Sequence, residues 1–315
     1  MSTLSGKFSG RRGFLKTASS VLPLSLSPAF FYRLQETAVF ADRKKLGLHL
    51  GSVQELLVSD PMKIINALDQ MNIRNVELQD VSLLNKLQPV LKGAGFEVPS
   101  CFFPSPYITN NWNPVASMGL KIPANRDFKS VVDQGAKYGL RYLVMPGLFP
   151  QDRGGLDVYK DLATKLNEAG ELCKQAGIQL SYHHHVYEFQ PMENTTPMEV
   201  LLGTWEEDLV QLEVNTFWLS LAGLEIIPFL KKYRSFQGPM HLADKSDQAP
   251  QTYRAITLPP DMQQALGNGV INFPEILAND VSDQIPYFFI HLSDISDPLA
   301  AIQTSVSYMD KVMQK

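Results

Sequence analysis

Beyond residue 42 the chain alternates short apolar runs with longer stretches in which apolar residues recur at helical spacing. The apolar runs fall at 45–51, 73–78, 96–103, 142–145, 178–184, 210–214, 238–243 and 287–291, and each is short enough to be a buried strand. Helical spacing lies between them. Asp60-Pro61 opens a helix to Met71, with a cap and a proline suited to the first turn. Further helices are expected at 82–94, stopped by Gly95, and at 127–138, 156–176, stopped by Gly177, 273–277 and 297–312. A Pro- and Asn-rich stretch at 104–123 breaks the rhythm and is expected to be a long loop able to bind.

Eight strands alternating with helices predict a single (β/α)8 TIM barrel, a closed parallel α/β fold, over 42–315. The competing open, doubly wound sheet is disfavoured because no GxGxxG turn follows the first strand.

The first 41 residues have a different character. Arg11-Arg12-Gly13-Phe14-Leu15-Lys16 precedes an apolar stretch, and Val39-Phe40-Ala41 offers small residues where a signal peptidase would cut. This order resembles a twin-arginine export signal and predicts a folded, exported, periplasmic protein that begins near Asp42. No cysteine lies near the cut, so no membrane anchor is expected after processing.

Composition adds little beyond exclusions. The net charge of −4 is spread without basic clusters, so no nucleic-acid footprint is expected. The two cysteines, Cys101 and Cys173, form no CxxC pair and are expected to be buried thiols.

The histidines carry more information. All six, His49, His183, His184, His185, His241 and His291, fall at or near the ends of predicted strands. In such a barrel the strand C-termini form one rim, where active sites are built. Imidazoles converging there suit a metal centre or acid–base chemistry. Side chains alternate along a strand, so His183 and His185 share a face and His184 opposes them.

Several segments together resemble the xylose-isomerase-like family of sugar phosphate isomerases and epimerases. Tyr182-His183-His184-His185-Val186-Tyr187-Glu188-Phe189 is similar to the family's Tyr-His-Asn-His-Asp-Phe-Glu-Phe strand. Leu212-Glu213-Val214-Asn215-Thr216-Phe217-Trp218 resembles its Asp-x-x-Trp strand, and His241-Leu242-Ala243-Asp244 its His-Val-Lys-Asp. Gly267-Asn268-Gly269 resembles a Gly-Glu-Gly loop, Asp297-Pro298-Leu299 the start of the last helix, and Val76-Glu77 the second strand.

The resemblance implies one divalent ion at the rim, held at positions occupied here by His183, Asn215, His241 and His291. Two of these depart from the family's carboxylates, at Asn215 and His291. A set of three imidazoles favours zinc, with manganese or cobalt as the alternatives. The resemblance also points to Glu188, His185 and Glu77 as candidate proton carriers. His49, Trp112, Trp218 and Lys245 are candidate contacts to a small carbohydrate, with Trp112 expected to be exposed in its polar loop. Asp244 and Asp294 are read either as orienting groups or as solvated carboxylates. Three functions remain open: a sugar isomerase or epimerase, a lyase or hydrolase of 3-keto-glycosides, and a carbohydrate-binding barrel with a degenerate metal site.

Overall fold

The computed structural model describes residues 43–254, 261–293 and 295–313. The twin-arginine segment and Asp294 lie outside the described residues. Eight strands close into a barrel: β1 (Leu46–His49), β2 (Asn75–Leu78), β3 (Glu97–Phe102), β4 (Tyr142–Met145), β5 (Gln179–His183), β6 (Val210–Asn215), β7 (Gln237–Leu242) and β10 (Phe288–Ile290). Every pairing around the ring is parallel, with β10 closing onto β1 and β7. Between β7 and β10 a short antiparallel ribbon pairs β8 (Asp244–Lys245) with β9 (Gln263–Gln264).

The punctuation read from the sequence sets the helix ends. Asp60 accepts a hydrogen bond from the Lys63 amide at the head of Pro61–Gln70, and Asp127 does the same for Lys129 at the head of Phe128–Tyr138. Gly139 takes a left-handed conformation to end the latter helix. Four helices escaped the sequence reading: Gln54–Ser59, Pro197–Thr204, Thr216–Leu221 and Ile226–Lys232. The stretch at 104–123 is more ordered than expected and contains the short helices Pro106–Thr109 and Asn113–Ser117.

Alternation splits each strand between two environments. Leu46, Leu48, Leu180 and Leu242 pack under the helices in one continuous apolar core. The opposite faces fill the barrel. Gly47 is required there, because a Cβ would stand 2.7 Å from the Phe289 ring and 2.6 Å from the Asn75 carbonyl. Phe289 therefore fills the space a side chain at 47 would take. Cys101 and Cys173 are both buried free thiols, and burial alone pushes Cys173 up to about 12.

One side of the barrel mouth is fixed by Asp244. Its buried carboxylate accepts hydrogen bonds from the amides of Lys245, Gly267, Gly269 and Ile271 at 2.8–3.0 Å. A side chain at 269 would strike that carboxylate, which explains the glycine. Asp244 is thus an internal clasp rather than a solvated group.

Candidate active site at the barrel mouth

Beneath the mouth lies a cluster of ionisable side chains that meet across the barrel. Glu77 of β2 and His241 of β7 belong to strands that are not neighbours, yet His241 Nε2 lies 2.5 Å from Glu77 Oε2. The same carboxylate oxygen accepts from His49 Nδ1 at 2.7 Å, and Glu77 Oε1 accepts from the Ser100 hydroxyl at 2.5 Å. On the other side, Glu213 Oε2 is 2.8 Å from His183 Nδ1 and 3.4 Å from His241 Nε2. Glu77, Glu213 and His241 are fully buried, and His49 and His183 nearly so.

Burial raises a carboxyl and lowers an imidazole, so the cluster's charge state follows from its contacts. Burial alone would raise Glu77, but His241 and His49 draw it below the usual carboxylate range. Glu213 goes the other way, raised by burial and then by the Glu77 charge. The surroundings thus favour the charged form of Glu77 and the neutral form of Glu213. His183 and His241 are lowered, chiefly by burial.

Asn215 and His291 form a separate unit. Asn215 Oδ1 accepts from the amides of Phe217 and Trp218 and so caps the helix Thr216–Leu221. Its Nδ2 donates to His291 Nδ1 at 3.1 Å, and His291 Nε2 reaches the Ser293 hydroxyl at 3.2 Å. Both ring nitrogens of His291 are therefore engaged. The four positions expected to share one ion are divided: His183 and His241 converge with carboxylates, while Asn215 and His291 satisfy each other. Among the described residues two groups bring one metal-binding atom from each member within 4.8 Å of one another, His49–Glu77–His241 and His183–Glu213–His241. Glu213 is the participant that sequence reasoning missed. Its signal was parity, because it lies two residues before Asn215 and shares its face.

Above the cluster opens a cleft of about 1290 Å³, lined by His49, Gln79, Phe102, His183, His185, Trp218 and His291 among others. His185 packs between the Tyr187 ring, stacked at 5.8 Å, and Trp218 at 5.4 Å. Its Nδ1 is buried without a partner, and burial, with His184 and Arg153 adding to it, pushes the ring down to about 3.

Three expected site residues stand elsewhere. Glu188 is fully buried beside Tyr182, on the opposite face of β5 from His183, and does not line the cleft. Its two oxygens accept from the Tyr182 hydroxyl at 2.7 Å and the His185 amide at 2.9 Å. It anchors the turn that carries His185. Trp112 is buried rather than exposed, covered by Tyr107 at 5.0 Å and by Arg126 at 6.0 Å. Lys245 belongs to the β8–β9 ribbon and is not part of the cleft lining. Glu77 lies in the cluster beneath the cleft floor.

No family model matches the chain. An inosose dehydratase of Clostridium perfringens is 34% identical over 86 residues, which is 27% of this chain and 28% of that enzyme. The chain thus matches little more than a quarter of that relative's length. A sugar phosphate isomerase/epimerase from Parabacteroides distasonis superposes with a TM-score of 0.66 at 19% identity, covering 85% of this chain and 94% of that one. The IolI protein, solved with a bound zinc atom, gives 0.59 at 14% identity, with 85% and 98% covered. At these identities the structural likeness concerns the barrel itself.

Proposed function

We propose that this protein is an exported enzyme that removes a proton beside the carbonyl of a keto-sugar or keto-cyclitol and expels the oxygen substituent one carbon further on. The observation that carries this reading is the cleft in which the partner-free His185 ring stands beside Trp218, directly above a buried carboxylate–imidazole cluster. The likeness to an inosose dehydratase supports the reaction type.

The step balances without an added oxidant. The C–H electrons move to the carbonyl oxygen, return to form a C=C bond, and the C–O bond breaks with release of water or an alcohol. His185 is the group placed to accept the proton and to pass it to the departing oxygen. Glu188 holds His185 in place through its backbone amide. His183 pairs its Nδ1 with Glu213, which leaves Nε2 as the edge available to the carbonyl side of the substrate. Trp218 and Phe102 offer faces to the C–H side of a ring.

The mouth's donor set suits a divalent ion. Among the described residues the two fully buried carboxyls face only imidazoles and a serine, and Glu213 Oε1 has no partner. His183, Glu213 and His241, with Glu77, would hold such an ion, which as a Lewis acid would supply polarisation of the carbonyl. Zinc is favoured, as the zinc-bound neighbour suggests, with manganese or cobalt as alternatives.

A second reading, cleavage of a 3-keto-glycoside, follows the same chemistry with an alkoxide as leaving group. The cleft volume favours it, since it exceeds the roughly 300–1,000 Å³ of an ordinary small-molecule pocket. Incubation with a keto-inositol and with a 3-keto-glucoside, in deuterated buffer, tests both. The expected result is loss of water or release of the aglycone, with solvent exchange at the carbon beside the ketone. Deuterium exchange without elimination would favour the isomerase or epimerase reading. Neither exchange nor elimination on any keto-sugar would leave the binding-protein reading.

A further inference from the structure

We infer that the metal position of this chain has moved inward. The ion is held by His183, Glu213, His241 and Glu77, while Asn215 and His291 take no part. The inference rests on the reading above only in expecting a divalent ion at all.

Three observations carry it. First, the two positions where the sequence departs from an acidic ligand are chemically occupied. Asn215 spends its carbonyl oxygen on two helix amides and its amino group on His291, and His291 spends its other nitrogen on Ser293. An ion there would have to break a helix cap and two side-chain bonds.

Second, acids missing at the strand ends appear deeper. Glu213 stands one inward-facing position below Asn215 on β6, and Glu77 enters from β2 across the barrel. Both are fully buried, and among the described residues neither meets a lysine or arginine. One divalent cation would cancel the charge of both carboxylates.

Third, the spacing is that of a coordination sphere. Donors around a tetrahedral zinc at its usual bond lengths stand roughly 3.3 Å apart. Here His183 Nδ1 and Glu213 Oε2 are 2.8 Å apart, Glu213 Oε2 and His241 Nε2 3.4 Å, and His241 Nε2 and Glu77 Oε2 2.5 Å. His183, Glu213 and His241 bring one donor atom each within 4.8 Å of one another, and Glu77 joins them through its 2.5 Å contact to His241. The partner-free Glu213 Oε1 supplies a further donor atom at the same place.

The inward set contains two imidazoles and two carboxylates, whereas the strand-end set would contain three imidazoles. This difference is measurable. The full-length protein, stripped with a chelator, is titrated with cobalt(II), and bound metal is counted by elemental analysis. Proton NMR of the cobalt form then counts the hyperfine-shifted exchangeable imidazole N–H signals, with two expected. Glu213→Gln should weaken cobalt binding by about 100-fold or more, against a change within about threefold for Asn215→Asp and His291→Ala. Should Glu213→Gln fail to fold, Glu77→Gln and the wild-type N–H count carry the decision. Three N–H signals, or loss of the ion in His291→Ala with retention in Glu213→Gln, would overturn the inference, as would no stoichiometric uptake by the wild type. Elimination chemistry is assayed separately. An inactive protein that binds cobalt through the inward set sinks the functional reading alone, and an active one that keeps its ion in Glu213→Gln sinks this inference alone.

Discussion

Asn215 Nδ2 lies 3.1 Å from His291 Nδ1, so the two positions at which this barrel lacks an acid are bonded to each other across the mouth. Each residue makes the other intelligible. An aspartate at 215 would accept from His291 rather than donate to it. An acid at 291 would accept from the Asn215 amide, but would leave the second contact, to Ser293, to a shorter group.

Asn215→Ala should therefore destabilise the protein by roughly 2 kcal/mol, since it removes a helix cap and a buried side-chain bond. Asn215→Asp should cost far less, because aspartate caps equally well. Urea denaturation of both variants measures this. Equal losses would mean that the cap contributes little.

Glu188→Ala should lose roughly 3 kcal/mol, because the buried Tyr182 hydroxyl and His185 amide both lose their acceptor. Glu188→Gln keeps an acceptor for one of them and should lose less. A catalytic role would show differently: Glu188→Gln would abolish turnover at unchanged stability and unchanged substrate binding.

Gly47→Ala should cost about 3 kcal/mol through overpacking against Phe289 and the Asn75 carbonyl. Adding Phe289→Leu should restore part of that loss and not all of it, because the carbonyl cannot move aside. Thermal melts of the two single variants and the double variant give the coupling. Additive effects would show that Gly47 and Phe289 do not compete for the same space.

Acid sensitivity can be assigned to His184. Burial lowers its imidazole to about 4, against about 6.5 in an unfolded chain. Between those values the unfolded chain takes up a proton and the folded one does not, so this contribution is complete above pH 6.5 and is lost as pH falls toward 4. The loss is roughly 3 kcal/mol. Glu188 and Glu213, both raised, act in the opposite sense, so the whole-protein profile mixes the two. The difference between wild type and His184→Asn isolates the histidine. In metal-stripped protein the variant should gain on the wild type steadily from pH 6.5 to 4, and a pH-independent difference would contradict the assignment.

The barrel was legible because its strands are apolar runs bounded by caps and glycines, and that signal survives without any tertiary information. The four overlooked helices are short, eight residues at most. One of them, Thr216–Leu221, begins at the last residue of β6 and reads as a continuation of the strand's apolar run. The site was legible in part. Strand-end histidines located the mouth, but Glu213 sits inside an apolar run that reads as core, and only its parity with Asn215 separates it. Trp112 was misjudged because its polar neighbours in sequence are not its neighbours in space. Glu188 follows His185 by three residues, yet the chain turns between them and carries its side chain behind β5.

Glu77 and Glu213 come from strands four places apart in a ring of eight, so they are diametrically opposed. The imidazole between them, His241, is 164 residues from Glu77 along the chain. Neither half of the barrel holds the assembly by itself: the N-terminal half, β1–β4, contributes Glu77 and His49, and the C-terminal half supplies Glu213, His183 and His241. During folding these groups can meet only once the two halves have closed on each other. A barrel assembled from two separately produced halves would therefore acquire the cluster in step with their docking, and metal uptake would report ring closure rather than local structure in either fragment.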